Sequence, residues 1–174
     1  MFFVITGNGK GKTTSAIGMA IRGSGSGKKI AMAFFDKGGS HYSEQNIFDL
    51  LQKQIHVLRF GQHRFDEKNR SFRFSVTDGD RKETARGIKE VTELFSQDYF
   101  LIICDELINC LNLGMADERS VRELIDKCPH ETHLVMTGRN APEWMIEKAD
   151  LVSEVKEIKH YFKKGIKAIK GIDY

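Results

Sequence analysis

The chain has 174 residues, of which 40% are hydrophobic and 29% charged, and its formal net charge is +3. This length favours one domain over residues 1–174, and the composition is typical of a globular protein. No apolar run approaches the ~20 residues of a membrane span, and the net charge is too small to indicate nucleic acid, so we expect neither partner. The opening MFFVI lacks the basic segment of a secretory signal and predicts a strand, which favours a cytoplasmic enzyme.

The predicted elements alternate along the chain between apolar strands and segments with helical period. The expected strands are residues 2–5, 29–35, 56–60, 99–104, 133–137 and 151–155. The expected helices are residues 13–22, 44–53, 80–96, 118–128 and 142–148. Ile17, Ala20 and Ile21 should face inward from the first helix, and Ala85, Ile88, Val91 or Thr92, and Phe95 from the third. The polar stretch 61–79 shows no period. This order predicts a doubly wound α/β fold, a mainly parallel six-stranded sheet with helices on both faces.

The C-terminal tail, residues 156–174, carries six lysines against Glu157 and Asp173, a net charge of +4 that leaves −1 for the rest. A solvated basic tail is one interpretation. The aromatic and glycine residues of YFKKGIKAIKGIDY favour another, a segment that binds an anion.

The stretch TGNGKGKTT, residues 6–14, stands between the first strand and the first helix and predicts a phosphate-binding loop. It is one residue shorter than the usual pattern, because Thr6 stands where the opening glycine is expected. Its glycines free the backbone amides to face phosphates at a helix N-terminus. Lys12 and Lys10 add positive charge, and Thr13 offers a hydroxyl to Mg²⁺. The predicted ATP-binding residues are Thr6, Gly7, Asn8, Gly9, Lys10, Gly11, Lys12, Thr13 and Thr14.

Two further motifs follow predicted strands. Asp105 and Glu106 come after a buried strand, as in a Walker B motif, and with Thr13 they are the predicted Mg²⁺ ligands. Arg139, in TGRNAP, has a guanidinium group suited to phosphate oxygens. The loop and the acidic pair together indicate a P-loop NTPase-like (RecA-like) fold. An obvious water-positioning base for phosphoryl transfer is missing from the pattern.

The motifs together resemble the ATP:corrinoid adenosyltransferases of the cobalamin pathway. The resemblance covers the whole chain and rests on motifs in the family's order: GNGKGKTT at 7–14, FFDKGG at 34–39, DEL at 105–107, TGRNAP at 137–142, ADLVSEV at 149–155 and the KH…GIKA…KGIDY tail. Three segments depart from the family pattern, one of them the tail, where Ile169 stands in place of a frequent glutamine. Ser40 follows the second strand's glycines where an aromatic is common, and FGQHRFDEKNR, from Phe60, lacks the family's tryptophan.

The resemblance implies that Co(I) of a reduced corrinoid attacks C5′ of ATP and expels tripolyphosphate, in a loop that holds ATP reversed relative to other P-loop enzymes. Lys12, Lys10 and Arg139 would then stabilise the leaving group, with Mg²⁺ as the cofactor. The implied substrate is cob(I)alamin or a cobyrinic or cobinamide precursor, and the implied partners are a flavin-based reductase and a second subunit in a homodimer. The candidate corrinoid contacts are Tyr42, Phe60, Phe65 and His160.

Two alternatives stay open from the sequence. One is an ordinary P-loop phosphotransferase or NTPase of the same fold. The other is a nucleotide-binding regulatory protein whose corrinoid site has decayed.

Overall fold

The computed structural model describes residues 1–38, 43–63, 65–66, 71–73 and 75–173, with the main chain alone at 65, 66, 71 and 72. The strands of its main sheet are β1 (Phe2–Thr6), β2 (Ile30–Phe34), β3 (Ile55–Arg59), β6 (Leu101–Asp105), β7 (His133–Thr137) and β8 (Leu151–Glu154). Their spatial order is β3-β2-β6-β7-β1-β8, and every neighbouring pair is parallel. A separate antiparallel pair, β4 (Phe65–Asp66) and β5 (Ser71–Phe72), lies in the polar stretch after β3.

The helices are α1 (Lys12–Gly25), α2 (Glu44–Leu50), α3 (Asp78–Leu94), α4 (Leu107–Asn112), α5 (Glu118–Asp126) and α6 (Glu143–Lys148), followed by a 3₁₀ turn at Tyr161–Lys164. Thr77 begins α3 with a capping box, because its hydroxyl accepts from the Asp80 N–H while Asp80 accepts from the Thr77 N–H. Asp117 caps α5 by accepting from the Ser120 N–H over 2.8 Å. No helix in the described part of the chain has the length and apolarity needed to cross a membrane.

The sheet is covered on both faces, which explains why β2 and β6 are buried along their whole length. One face packs against α1 and α2 through the buried residues Ala16, Ala20, Phe48, Ile30, Met32 and Ile103. The other packs against α3 to α6 through the buried residues Val91, Ile108, Leu124, Met145, Ile102 and Leu134. Each large side chain buried in this way contributes about 1.5–3 kcal/mol. The predicted α/β fold with a six-stranded parallel sheet, of the P-loop NTPase-like kind, is confirmed.

Two details of α1 differ from the sequence-based expectation. The helix continues through Gly23 to Gly25 instead of ending at residue 22, and Ile21 is 49% exposed. A Cβ on Gly23 would lie 2.8 Å from the Ile30 side chain, so this glycine allows close packing on β2 and does not break the helix. The small residues of α1 therefore face the sheet, and Ile21 is turned outward.

In α3 most of the expected inward face is confirmed, since Ile88 and Val91 are buried and Phe95 packs against the core. Thr84 and Leu94 are buried, whereas Ala85 is exposed. Gly87 lies on the same buried face, and a Cβ there would lie 2.6 Å from the Phe35 ring. The helix rests on the sheet at this glycine, a contact that hydrophobic periodicity does not reveal. Helix α4 was not predicted, because its six residues show no period and no proline precedes it as Pro142 precedes α6.

The carboxyl ends of the parallel strands meet at one edge of the sheet, where ligands bind in such folds. Strand β7 lies between β1 and β6. The loop after β1 and the acidic residues after β6 are therefore two strand spacings apart, about 10 Å. A side chain from the start of α1 can cross that distance.

Candidate functional site

The phosphate loop that follows β1 depends on its glycines. Gly7 and Gly11 have φ angles of 99° and 121°, which side-chain-bearing residues rarely adopt. At Gly9 a Cβ would lie 2.7 Å from the Val155 carbonyl oxygen, to which the Gly9 N–H donates over 2.7 Å. The three glycines thus permit both the turn and the close passage of the chain after β8.

Lys12 is the first residue of α1, and its ammonium group lies within this loop. Its Nζ donates to the carbonyl oxygens of Gly7 (2.7 Å) and Gly9 (2.8 Å), and the residue is only 7% exposed. Burial lowers the pKa of Lys12, an effect that Glu106 opposes and Arg139 reinforces. Phosphate oxygens in the loop would offer this ammonium charged acceptors, which form stronger hydrogen bonds than carbonyl groups do.

Asp105 ends β6 and is fully buried among hydroxyl groups. Thr13 Oγ1 donates to its Oδ2 over 3.1 Å, and Thr137 Oγ1 donates to its Oδ1 over 2.7 Å. The Glu106 N–H donates in turn to Thr137 Oγ1 over 3.0 Å. The structure therefore brings together Thr13 and Asp105, two of the three predicted metal ligands, and fixes the orientation of the Asp105 carboxylate.

Lys37 is a site residue that the sequence reasoning missed. Strand β2 pairs with β6 in a register that sets Phe34 beside Asp105, and Lys37 follows three residues later. Its Nζ donates to Asp105 Oδ2 over 2.7 Å and to Thr13 Oγ1 over 3.4 Å. Burial by itself would lower the pKa of Lys37, but Asp105, together with Glu106 and Glu44, outweighs burial and raises it. The available signal was its position just beyond the carboxyl end of a central strand.

The oxygens of Thr13 and Asp105 suit a magnesium ion. Mg²⁺ prefers oxygen ligands and needs only one or two from the protein when phosphates and water supply the others. The Lys37 ammonium within reach of both oxygens shows that this position accepts a cation. Among the residues that the structure describes, no three His, Cys, Asp or Glu side chains gather into a metal cluster.

Asn109, in α4, connects the acidic pair to the loop after β7. Its Nδ2 donates to Glu106 Oε2, and its Oδ1 accepts from the Arg139 N–H over 2.6 Å. Burial, followed by the nearby Asp105 charge, raises the pKa of Glu106. Asn109 therefore positions both a carboxyl group and the main chain of the predicted phosphate-binding arginine. Its sequence signal was its place in the DELIN motif, which reasoning from charged residues alone passes over.

The C-terminal segment, residues 155–173, contacts the phosphate loop near both of its ends, while residues 162–172 between them are exposed. The Lys10 ammonium is 2.8 Å from Asp173 Oδ1, and the Tyr161 hydroxyl donates to the same oxygen over 2.6 Å. These two groups, Lys10 first, hold the pKa of Asp173 well below its usual range. The Ile169 N–H also donates to Asp173, over 2.7 Å. An acidic residue thus anchors this basic segment to the loop.

A cavity of about 1030 Å³ lies between the phosphate loop and the C-terminal segment. The predicted site residues that line it are Asn8, Gly9, Lys10, Gly11, Lys12, Thr13, Thr14, Glu106, Arg139 and His160. Thr6 lies behind the loop, where its Oγ1 accepts from the Ala141 N–H over 3.1 Å. Seven of the nine predicted ATP-binding residues, 8–14, therefore surround one space large enough for a nucleotide.

Comparison with known proteins shows to which family this chain belongs. A sequence model described as ATP:corrinoid adenosyltransferase BtuR/CobO/CobP matches residues 1–174. The chain belongs to the ATP:corrinoid adenosyltransferase family. It is 33% identical over 174 residues to a corrinoid adenosyltransferase of Escherichia coli K12, with all of this chain and 85% of the relative covered. A corrinoid adenosyltransferase of Pseudomonas aeruginosa is 35% identical over 179 residues, with 100% and 83% covered. The family resemblance predicted from the motifs is confirmed.

The corrinoid contacts predicted for this member of the ATP:corrinoid adenosyltransferase family lie in different settings. His160 lines the cavity, and its Nδ1 accepts from the Phe162 N–H over 3.1 Å. Phe60 is 1% exposed and belongs to the core. Its ring would have to leave the core to contact a corrinoid, and that contact stays a prediction. Tyr42 and the Phe65 side chain lie outside the described residues. Phe162, which the sequence reasoning missed, lines the cavity and is 70% exposed.

Proposed function

We propose that the protein transfers the 5′-deoxyadenosyl group of ATP to the Co(I) of a reduced corrinoid. The cobalt electron pair attacks C5′, a cobalt–carbon bond forms, and the bond between C5′ and its oxygen breaks to release tripolyphosphate. Cobalt is oxidised from Co(I) to Co(III) as the electron pair of the broken bond leaves on the phosphate oxygen. The nucleophile carries no proton, so this transfer needs no general base. Membership of the family supports the reaction class.

The observation that carries the proposal is the group of cations at the phosphate loop. Lys10, Lys12, Lys37 and Arg139 all line the cavity. Negative charge grows on the triphosphate as the bond to C5′ breaks, and cations fixed in advance stabilise that charge. We assign Lys12, Lys10 and Arg139 to this task, together with the N–H groups of the loop.

We include magnesium as the cofactor, with Thr13 and Asp105 as the residues that would hold it and Glu106 as a further candidate. When bound, Mg²⁺ supplies additional neutralisation of the triphosphate charge. The chain's own contribution is orientation, because the Thr137 hydroxyl holds one Asp105 oxygen and leaves the other directed at Thr13.

On the corrinoid side, we propose His160 as a contact because it lines the cavity, with Tyr42, Phe60 and Phe65 as the candidates that follow from the family resemblance. The proposed substrates are cob(I)alamin and its cobyrinic or cobinamide precursors. By analogy with the family, we also propose that the protein works with a flavin-based reductase, forms a homodimer and is located in the cytoplasm.

The test is to incubate the protein with ATP, Mg²⁺ and chemically reduced cob(I)alamin and to identify both products. Adenosylcobalamin together with free tripolyphosphate supports the proposal. Parallel reactions with cobinamide and cobyrinic acid a,c-diamide rank the substrates by kcat/KM. Binding of ATP without turnover of any of these corrinoids would instead support a nucleotide-binding regulatory protein.

One observation favours a second candidate function, ATP hydrolysis. Glu106 is a partly buried carboxyl group on the cavity wall, and its charge acts on Lys12. A carboxylate at such a position can orient a water molecule toward a phosphate. Orthophosphate release without a corrinoid, abolished in Glu106→Gln, would support this function.

A further inference from the structure

A lysine ammonium lies on the two oxygens that the proposed function assigns to the metal. Lys37 Nζ is 2.7 Å from Asp105 Oδ2 and 3.4 Å from Thr13 Oγ1. The Lys37 side chain is 11% exposed and that of Asp105 is fully buried. This is a close ion pair withdrawn from solvent, and it is distinct from the Lys12 contacts with the loop carbonyl groups.

A divalent cation and this ammonium cannot share the Asp105 oxygen. Two cations a few ångströms apart repel strongly at the effective dielectric constant of a buried site. Metal binding therefore requires Lys37 to move away from Asp105, and a buried ammonium needs another anion when it moves. Glu44 Oε1, at 3.9 Å, is within salt-bridge distance but too far for a hydrogen bond. Lys37 also lines the cavity, so triphosphate oxygens bound there would be within its reach.

We propose that Lys37 reserves the metal position for the metal–nucleotide complex. Without nucleotide, Lys37 neutralises Asp105 and excludes free divalent cations. When the metal enters with ATP, the Lys37 ammonium transfers to the triphosphate and becomes one more cation on the leaving group. Metal and nucleotide therefore promote each other's binding, as reciprocal coupling requires. This inference rests on the part of the proposed function that places a metal–triphosphate in the cavity, and it is independent of the corrinoid.

The test is a titration of the full, nucleotide-free chain with Mn²⁺, in which electron paramagnetic resonance measures the free ion. Lys37→Met should bind Mn²⁺ at least about tenfold more tightly than the wild type, because the competing charge is gone. The matched control is Lys29→Met, which removes an ammonium that contacts the Gln97 carbonyl oxygen and the Tyr99 ring, away from the site. Lys29→Met should bind Mn²⁺ as the wild type does.

Two further variants test whether the effect comes from the Lys37 charge and whether the ion binds at Asp105. Lys37→Gln can still donate a hydrogen bond to Asp105, so it provides the same test where Lys37→Met does not fold. Adding Asp105→Asn to either variant should abolish the gained Mn²⁺ binding, which locates the ion. The proposal is overturned if both Lys37 variants bind Mn²⁺ as weakly as the wild type, or if the wild type already binds Mn²⁺ at Asp105 without nucleotide. Neither outcome depends on adenosyl transfer, which the product assay tests separately.

Discussion

Replacing Lys12 by alanine tests the proposal that this ammonium group stabilises a triphosphate leaving group. The Lys12 ammonium makes two hydrogen bonds, of 2.7 and 2.8 Å, to loop carbonyl groups that a triphosphate would replace as acceptors. A hydrogen bond to a charged group contributes about 1.5–3 kcal/mol, so two contribute ~3–6 kcal/mol. At 1.36 kcal/mol for each factor of ten, Lys12→Ala should lower kcat/KM by about 10²–10⁴-fold.

The assay follows adenosylcobalamin formation from preformed cob(I)alamin, so that the reduction step does not limit the rate. Lys82→Ala is the matched control, since Lys82 is exposed on α3, and its kcat/KM should equal that of the wild type. If Lys12→Ala stays within about threefold of the wild type in kcat/KM, the leaving group is not stabilised by this ammonium and the reasoning is refuted.

Three further predictions concern residues that position the site and the packing of the helices on the sheet. Asn109→Ala removes the hydrogen bond to the Arg139 N–H and should lower kcat/KM about tenfold, as measured by steady-state kinetics; an unchanged value would show that the bond is dispensable. Asp173→Asn weakens the anchor of the C-terminal segment and should speed tryptic cleavage there. The pKa of Asp173 is lowered in the folded protein, so the stabilisation from this anchor is fully present above the unfolded pKa of about 3.9. It is lost as the pH falls through the pKa that Asp173 has in the folded protein. Hydrogen exchange of the C-terminal segment measures this loss. Gly87→Ala should lower the free energy of unfolding in urea by about 1–3 kcal/mol, since its Cβ meets aromatic rings. Gly18→Ala, with open space around its Cβ, should raise it by about 0.4–1 kcal/mol, and equal effects of the two changes would contradict the packing argument.

The sequence predicted the fold well because the deciding signals are local. Strands β2, β6 and β7 are short apolar runs, and the turn chemistry around them is explicit. The buried face of a helix is harder to predict from the sequence, because it depends on the elements against which the helix packs. Gly23 and Gly87 mark the places where α1 and α3 touch the sheet most closely, and only the packed structure shows why they are glycines.

For the candidate site, the phosphate loop and the acidic pair could be predicted because each lies within one contiguous motif. Lys37 could not be, because its role comes from the register of β2 against β6. The pairing of Lys10 with Asp173 joins residues at opposite ends of the chain and has no local pattern. Long-range ion pairs are therefore one part of the site that the sequence left unpredicted.

The shortened loop makes physical sense beside these contacts. Gly9 passes against the main chain after β8, and Lys10 is tied to the C-terminal segment. The loop and the C-terminal segment therefore form adjoining walls of the cavity. Lys10, Lys12 and Lys37 line this cavity, so their ammonium groups would be within reach of a triphosphate bound there.

The central claim is that the whole triphosphate leaves from C5′, and isotope labelling tests it directly. ATP carrying ¹⁸O at the oxygen bonded to C5′ is incubated with Mg²⁺, the protein and cob(I)alamin, and the phosphorus-containing product is examined by mass spectrometry. Cleavage of the bond between C5′ and oxygen predicts that all of the label appears in tripolyphosphate, in an amount equal to the adenosylcobalamin formed. Label retained in ADP or AMP, with orthophosphate or pyrophosphate released, would contradict the account.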